Sequence, residues 1–401
     1  MRIDQINLLD LDAFAARGFP HEAFATLRRE APVYRHPEPN GPGFWVISKH
    51  ADVIHVSKRP LIFSSMQGIN VQLVPTEELT ILQTMMLGMD PPWHSKYRRL
   101  VSGGFTPRTI SLLEPHIRQI SRELVDGITE KGECEFVREV AAELPLQVIA
   151  EFLGVPHEER SRIFQLSNRL IGFDDPEFQT SPEDGKIAAT EMWLFANELA
   201  AARRMNPRDD MVSLLLSAEV EGEKLSEMEF NNFFLLLAVA GNETTRNLIS
   251  GGMLALLEHP RELRRLQSDL SLLPKAVEEM LRWVTPVVHF RRTATEDTVL
   301  RGQQIAAGDR VVMFYPSANR DEEVFSDPQR FDIARTPNDH LSFGIGEHFC
   351  LGSQLARLEI RIVFEELLRR LAEIELAGPV RRLRSNFISG IKSMPLRFSP
   401  D

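Results

Sequence analysis

The chain has 401 residues and a formal net charge of −11, with 57 acidic against 46 basic residues. That balance disfavours nucleic acid as a partner. Cys134 and Cys350 are the only cysteines, far apart in sequence, which fits a reducing cytosol and excludes a disulfide scaffold.

Taken from the start, MRIDQINLLDLDAFAARGFP is amphipathic and carries acids, so it reads neither as a signal peptide nor as a membrane anchor. No apolar run reaches the ~18 residues that span a bilayer. PVYR and GFWVISKH predict two short strands around the turn residues NGPG, and HADVIHVSK a short helix. From Ser64 to Leu87 the chain is rich in Ile, Val, Leu and Met, including Ile69, Val71 and Met86; it reads either as a binding loop or as core. His94 and Arg98 stand four apart, so on a helix both project from one face. Cys134, in KGECEFV, is expected at a strand edge. From Glu114 to Leu216 the pattern is helix after helix, broken by GVP and by LIGFDDPEFQTSPEDG.

A long helix is predicted over roughly Glu227 to Glu258, opened by Ser226 and Glu229 as a capping box. Its apolar centre, FFLLLAVAGNETTRN, buries Glu243, Thr244 and Thr245, which are costly there unless hydrogen-bonded. Gly241 weakens the helix ladder, and a Thr hydroxyl could take up a freed carbonyl. In KAVEEMLRW, Glu279 and Arg282 stand three apart as a ready ion pair. VLRGQQIAAGDRV predicts a hairpin with turns at Gly302 and Gly308, and NFISGIKSMPLRF a second hairpin. Strands thus concentrate in 32–49, 284–315 and 380–398; the remainder is helical.

The stretch FGIGEHFCLG, Phe343 to Gly352, carries three glycines and Cys350 ahead of a helical pattern. A sulfur at the positive end of a helix dipole is favoured as thiolate. One thiolate without a second nearby is a poor zinc or iron–sulfur site, since both need several ligands. It suits iron already held in a porphyrin. The run F-G-x-G-x-H-x-C-x-G, at Phe343, Gly344, Gly346, His348, Cys350 and Gly352, resembles the haem-binding loop of the cytochrome P450 monooxygenases, and the likeness extends over nearly the whole chain.

That resemblance implies a mainly α fold with a smaller β region: one triangular, helix-rich domain over 1–401, with haem b (iron protoporphyrin IX) between the long helix and the Cys-loop helix. It implies Cys350 as iron ligand, with Phe343, Gly344 and Gly352 shaping its loop. It further implies His94, Arg98, Arg292 and His348 as partners of the haem propionates. The family's A/G-G-x-D/E-T is matched by Ala240, Gly241, Glu243 and Thr244, implying proton delivery by Glu243 and Thr244 to bound O2. E-x-x-R and P-x-R-F imply a structural network of Glu279, Arg282 and Arg330. Substrate-facing positions are expected at Ile69, Val71, Met86, Leu170, Ala240, Val287, Val288 and Ile388, with a mobile lid at Leu170, Ile171, Phe173 and the acidic loop that follows.

The implied activity is oxygen insertion into a C–H bond of an apolar small molecule by a cytoplasmic, monomeric enzyme. Electrons are expected from a separate ferredoxin or flavodoxin, docking on a basic face of Arg98, Arg99, Arg108, Arg118, Arg122 and Arg357. A peroxide-driven peroxygenase and a non-catalytic haem sensor or carrier are the alternatives; the retained Glu243 and Thr244 weigh against both. VAGNETTRN and FISGIKSMP resemble hydroxylases of steroid side chains and methyl-branched lipids, while YPSANRDEEVFSDP and SMPLRFSP resemble terpene hydroxylases. The Cys loop is one residue shorter than the steroid and lipid branch's FGGGGAHFCLG and carries Glu347.

Overall fold

The helix Glu227–Glu258 is the axis of the molecule, and its start is fixed by the expected capping box: Ser226 N donates to Glu229 Oε2 at 2.8 Å and Glu229 N to Ser226 Oγ at 3.3 Å. Its side chains are buried almost continuously from Phe230 to Leu256. Each such Leu or Phe contributes on the order of 1.5–3 kcal/mol through burial, which is why an apolar stretch this long is sheathed by other helices. The helices Glu143–Leu153, Arg160–Ile171, Pro182–Met205, Leu273–Val284 and Ser353–Arg370 all pack on it. Gly241 serves this packing: a Cβ there would lie 2.7 Å from Ile149 Cδ1. The helix is not interrupted at Gly241. The structure, a computed structural model, describes residues 1–39 and 41–400; Asn40, first residue of the expected NGPG turn, lies outside them.

A five-stranded sheet forms the second body of structure, in the order Val33–His36, Phe44–Ile47, Arg310–Phe314, His289–Ala294, Phe63–Ser64. Neighbours are antiparallel except Arg310–Phe314 beside Phe44–Ile47, with Val312 opposite Val46 on one side and Arg291 on the other. The expected hairpin at Gly302 forms between Thr298–Leu300 and Gln303–Ile305, its turn residues Arg301 and Gly302 both at positive φ (49° and 78°).

The C-terminal segment departs from expectation. Arg381–Arg382 pairs with Ile391–Ser393, so 383–390 is the loop of that hairpin. Pro395–Pro400 leaves it to pair with Leu371–Leu376 and Glu133–Glu135. Leu371–Leu376 falls outside the predicted β segments, because such a strand is selected by a distant partner rather than by local pattern, while Glu133–Glu135 is the strand at whose edge Cys134 is expected. Cys134 sits on the outer strand of this three-stranded sheet, opposite Leu396, and burial pushes its thiol up to about 12.

Candidate active site

The loop bearing Cys350 turns where its glycines permit. Gly346 has φ +79°, and a Cβ on it would meet the Ser57 carbonyl at 2.6 Å. Cys350 N donates to the Phe343 carbonyl at 2.8 Å, closing the loop just ahead of the helix Ser353–Arg370. Burial raises the Cys350 thiol above its ordinary value; the Gly352 N–H and the guanidinium groups of Arg98 and Arg357 act the other way. Phe343 is covered by Arg357, whose guanidinium stands 4.5 Å from the ring centroid and is held by Glu278 at 2.6 and 2.8 Å.

Four donors expected together do converge. His94 and Arg98 share a face of the helix Trp93–Ser102, and the rings of His94 and His348 lie 4.1 Å apart. Arg98 Nη2 donates to the Phe349 carbonyl at 2.6 Å. Arg292 projects from its strand, buried, and its guanidinium donates to the Arg291 carbonyl at 2.8 Å. Burial, then Arg98 and Arg292, lowers His94 to about 4; burial, Arg292, His94 and Arg98 hold His348 well below its ordinary value. The buried His94 Nδ1 has no hydrogen-bond partner, Glu347 Oε2 standing 3.9 Å from it, and among the described residues no carboxylate pairs with Arg98 or Arg292.

Within the buried long helix, Ala240 is exposed and Gly241 and Thr244 are half-buried, so one face opens onto space at mid-span. Thr244 Oγ1 donates to the Ala240 carbonyl at 2.9 Å, the local bond expected near Gly241. Glu243 points elsewhere. It is fully buried, ion-paired with Arg246, and Arg246 Nη1 donates to Asn168 Oδ1 at 2.7 Å on the helix Arg160–Ile171. Burial raises the Glu243 carboxyl despite Arg246, and its Oε1 has no partner. Arg246 was not among the sequence candidates, although its place three residues beyond Glu243 was visible in NETTRN.

The expected apolar positions divide. Val287 and Ile388 are bridged to each other and join Phe290, Phe387, Ile171, Phe173 and Phe178 in one apolar cluster. Leu170 and Met86 pack on the main helical core, and Ile69, half-buried, gives its carbonyl to Arg291 N at 2.7 Å. Val71 and Val288 do not belong with this group. Both are buried among Leu8, Phe24, Phe44 and Phe314, because Val71 N is tied to His289 Nε2 at 3.1 Å and extended backbone turns Val288 to the opposite side from Val287. Phe290 and Phe387 were missed; Phe290 lies only two residues before Arg292.

The structural network also needs one correction. Glu279 binds Arg282 twice at 2.8 Å, but its second guanidinium is Arg335, at 3.1 Å, not Arg330. The Arg330 side chain is 63% exposed, and only its backbone carbonyl takes part, accepting from Arg282 and Arg335. On the face below the Cys loop, Arg118, Arg122 and Arg357 are neutralised by Glu114, Glu278, Glu365 and Glu366, while Arg99 and Arg108 remain exposed. That face is a mixed ion-pair surface rather than a uniformly basic one.

A helix-rich fold around one glycine-turned thiol, with an opened helix face and a cluster of two histidines and two arginines, defines the class. The Cytochrome P450 family profile matches residues 146–378. The steroid C26-monooxygenase of Rhodococcus jostii (strain RHA1) is 43% identical over 98% of this chain and 84% of its own length. The methyl-branched lipid omega-hydroxylase of Mycobacterium tuberculosis (strain ATCC 25618 / H37Rv) is 44% identical over 99% of this chain and 95% of its own. Among solved structures, Mycobacterium marinum cytochrome P450 CYP268A2 in complex with pseudoionone superposes with a TM-score of 0.93 at 39% identity, covering 99% of each chain. The chain belongs to the cytochrome P450 family and is a bacterial-type P450 monooxygenase, an enzyme hydroxylating apolar substrates. The family's cofactor is a haem iron, and the residues present fit one: a thiol in a glycine-turned loop, an open helix face, and cations in need of an anion.

Proposed function

We propose that the whole chain acts as one unit, a cytoplasmic, monomeric haem-thiolate monooxygenase holding haem b through Cys350. The observation that supports this most is the convergence of His94, Arg98, Arg292 and His348, where among the described residues neither arginine pairs with a carboxylate and Glu347 Oε2 stands 3.9 Å from His94 Nδ1. Arg98 and Arg292 would hold the two propionates, since a guanidinium binds a carboxylate through paired hydrogen bonds. The bound haem supplies the oxygen-activating chemistry, tuned by its thiolate ligand. Phe343, Gly344 and Gly352 shape and shield the Cys350 sulfur.

The reaction balances as R–H + O2 + two electrons + two protons giving R–OH + water. The chain must therefore deliver protons into an apolar interior. Glu243 is the buried acid placed to relay one, its carboxyl raised by burial although ion-paired with Arg246, and Thr244 Oγ1 presents a hydroxyl on the open face beside Ala240. Transfer from Glu243 requires its side chain to leave Arg246. Electrons come from a separate ferredoxin or flavodoxin, for which exposed Arg99 and Arg108 offer the free positive charge.

The substrate is a terpenoid, steroid or branched-chain lipid. The apolar cluster of Val287, Ile388, Phe173, Phe290 and Phe387 supports a neutral hydrocarbon body, and relatives named for steroids and methyl-branched lipids point the same way. The test is turnover of a steroid, terpenoid and branched-lipid panel with NADPH, ferredoxin reductase and ferredoxin under labelled O2. Label in the product hydroxyl is the expected result. Oxygen from added peroxide alone would indicate a peroxygenase, and no turnover with any donor a sensor or carrier.

A further inference from the structure

The acids Glu278 and Glu279 stand side by side on the helix Leu273–Val284 and serve different partners. Glu279 turns to Arg282 and Arg335. Glu278 turns to the Cys loop and holds both of its flanks. Its Oε1 and Oε2 accept from Arg357 Nε and Nη2 at 2.6 and 2.8 Å, beyond Cys350, and Oε2 lies 3.1 Å from His340 Nε2, ahead of Phe343. Ser342 N donates to His340 Nδ1 at 3.3 Å, a pattern that assigns the ring proton to Nε2, facing Glu278. A neutral His340 serves in that bond, so the local charge is one guanidinium against one carboxylate.

Arg357 stands over Phe343, 4.5 Å from the ring centroid, and the Phe343 carbonyl in turn accepts from Cys350 N at 2.8 Å. Against the effect of burial, and behind the Gly352 N–H and Arg98, the Arg357 charge favours the Cys350 thiolate. The Arg357 and Glu278 side chains are 28% and 30% exposed, and both line a groove of about 280 Å³ between the helices Pro107–Thr129, Leu273–Val284 and Ser353–Arg370. The other two charges on that groove, Arg361 and Glu114, pair with each other at 3.2 Å. Among the described residues, Glu278 is thus the carboxylate that offsets Arg357.

We propose that Glu278 is a positioning residue for the thiolate site: it holds the Arg357 guanidinium over Phe343 and cancels its charge, and the balance of the two sets how readily the bound haem is reduced. One electron, from the ferredoxin or flavodoxin, enters a centre already carrying the negative charge of the thiolate. An unopposed cation beside the loop favours that reduced state, and an unopposed anion the oxidised one. The inference rests on the reading that Cys350 ligates a haem iron, which the carbon monoxide complex checks separately.

Spectroelectrochemical titration of the substrate-free holoprotein at about pH 8.5, well above the ordinary histidine value, tests it. Glu278→Gln keeps the shape and an acceptor for Arg357 while removing the negative charge. At a fixed ambient potential it should raise the ratio of reduced to oxidised protein about 3- to 10-fold, the effect of one charge screened by partial exposure. Arg357→Met removes the cation and should lower that ratio by a similar factor. The double variant should return to within about 2-fold of wild type. A pair that only braced the loop would behave differently, since loosening admits water around the haem in both single variants and moves both the same way. Shifts of equal sign, unmoved ratios, or a double variant as displaced as either single would overturn the proposal, and a thiolate-type carbon monoxide band in those same proteins would leave the ligation standing. A wild type without that band would overturn both.

Discussion

Glu243 pairs with Arg246, on the same buried helix, and not with its neighbour Thr244. The acid and the alcohol of the expected proton relay therefore face different directions, and the acid carries a guanidinium anchored to Asn168. Glu243→Gln keeps the shape and removes the transferable proton. Its kcat should fall by about 10²-fold, with an increased solvent isotope effect and unchanged substrate affinity. Steady-state kinetics in H2O and D2O check this; an unchanged kcat would remove Glu243 from the relay.

Arg335 and Arg330 give opposite expectations. Arg335 is buried against Glu279, so Arg335→Leu removes one of the two guanidinium groups on a fully buried carboxylate that keeps Arg282, and should cost about 1.5–3 kcal/mol. Arg330→Leu changes an exposed side chain and should stay within about 0.5 kcal/mol. Denaturant midpoints of the two variants, compared at equal slope, decide it.

Arg292 is a buried cation without a carboxylate. If it binds a propionate, Arg292→Leu should weaken haem retention by about 10- to 100-fold, the loss of one charged hydrogen-bonding group. The rate of haem transfer to an apomyoglobin acceptor measures this without any turnover.

Burial pushes the Asp174 carboxyl up to about 6 from its ordinary 3.8, against the opposing influence of Arg384. Its loop, 172–181, lies on the C-terminal hairpin, where the Asp174 carbonyl accepts from Arg384 Nη1 at 2.8 Å. A carboxyl raised in the packed loop stabilises that packing fully below its ordinary value and ceases to do so as pH rises through about 6. The charges around it are Arg381, Arg384 and Lys392 of the hairpin, Asp12 near the N-terminus, and Asp175 and Glu177 of its own loop. For Asp175, burial acts upward but the hydrogen bonds from Lys392 and from the backbone prevail; Glu177 is lowered first by its Lys392 bond. Their contributions are lost only on acidification below the ordinary carboxylate range. Amide hydrogen exchange of the loop, normalised for intrinsic rates, should thus be faster near about pH 7 than near about pH 5, and flat in Asp174→Asn.

What was legible in the sequence is what local chemistry dictates. The glycine-turned loop around Cys350, the Ser226–Glu229 cap, the His94/Arg98 face and the Glu279–Arg282 pair all lie within a few residues of chain. What was not legible depends on the path of the chain between elements. Which arginine swings back to Glu279 is set by the turns of 328–335, and Arg330 spends its side chain on solvent there. Val71 and Val288 carry the right chemistry for a pocket, yet backbone ties and strand alternation turn both into the core. The Asp175–Lys392 pair joins residues far apart in the chain, and no spacing announces it.

The central claim is the bond between the Cys350 sulfur and a haem iron, and the carbon monoxide complex of the reduced holoprotein tests it most directly. A strongly red-shifted Soret band, the mark of a thiolate ligand, is predicted. A band like that of a histidine-ligated globin, or a protein that stays colourless after haem supplementation, would contradict it.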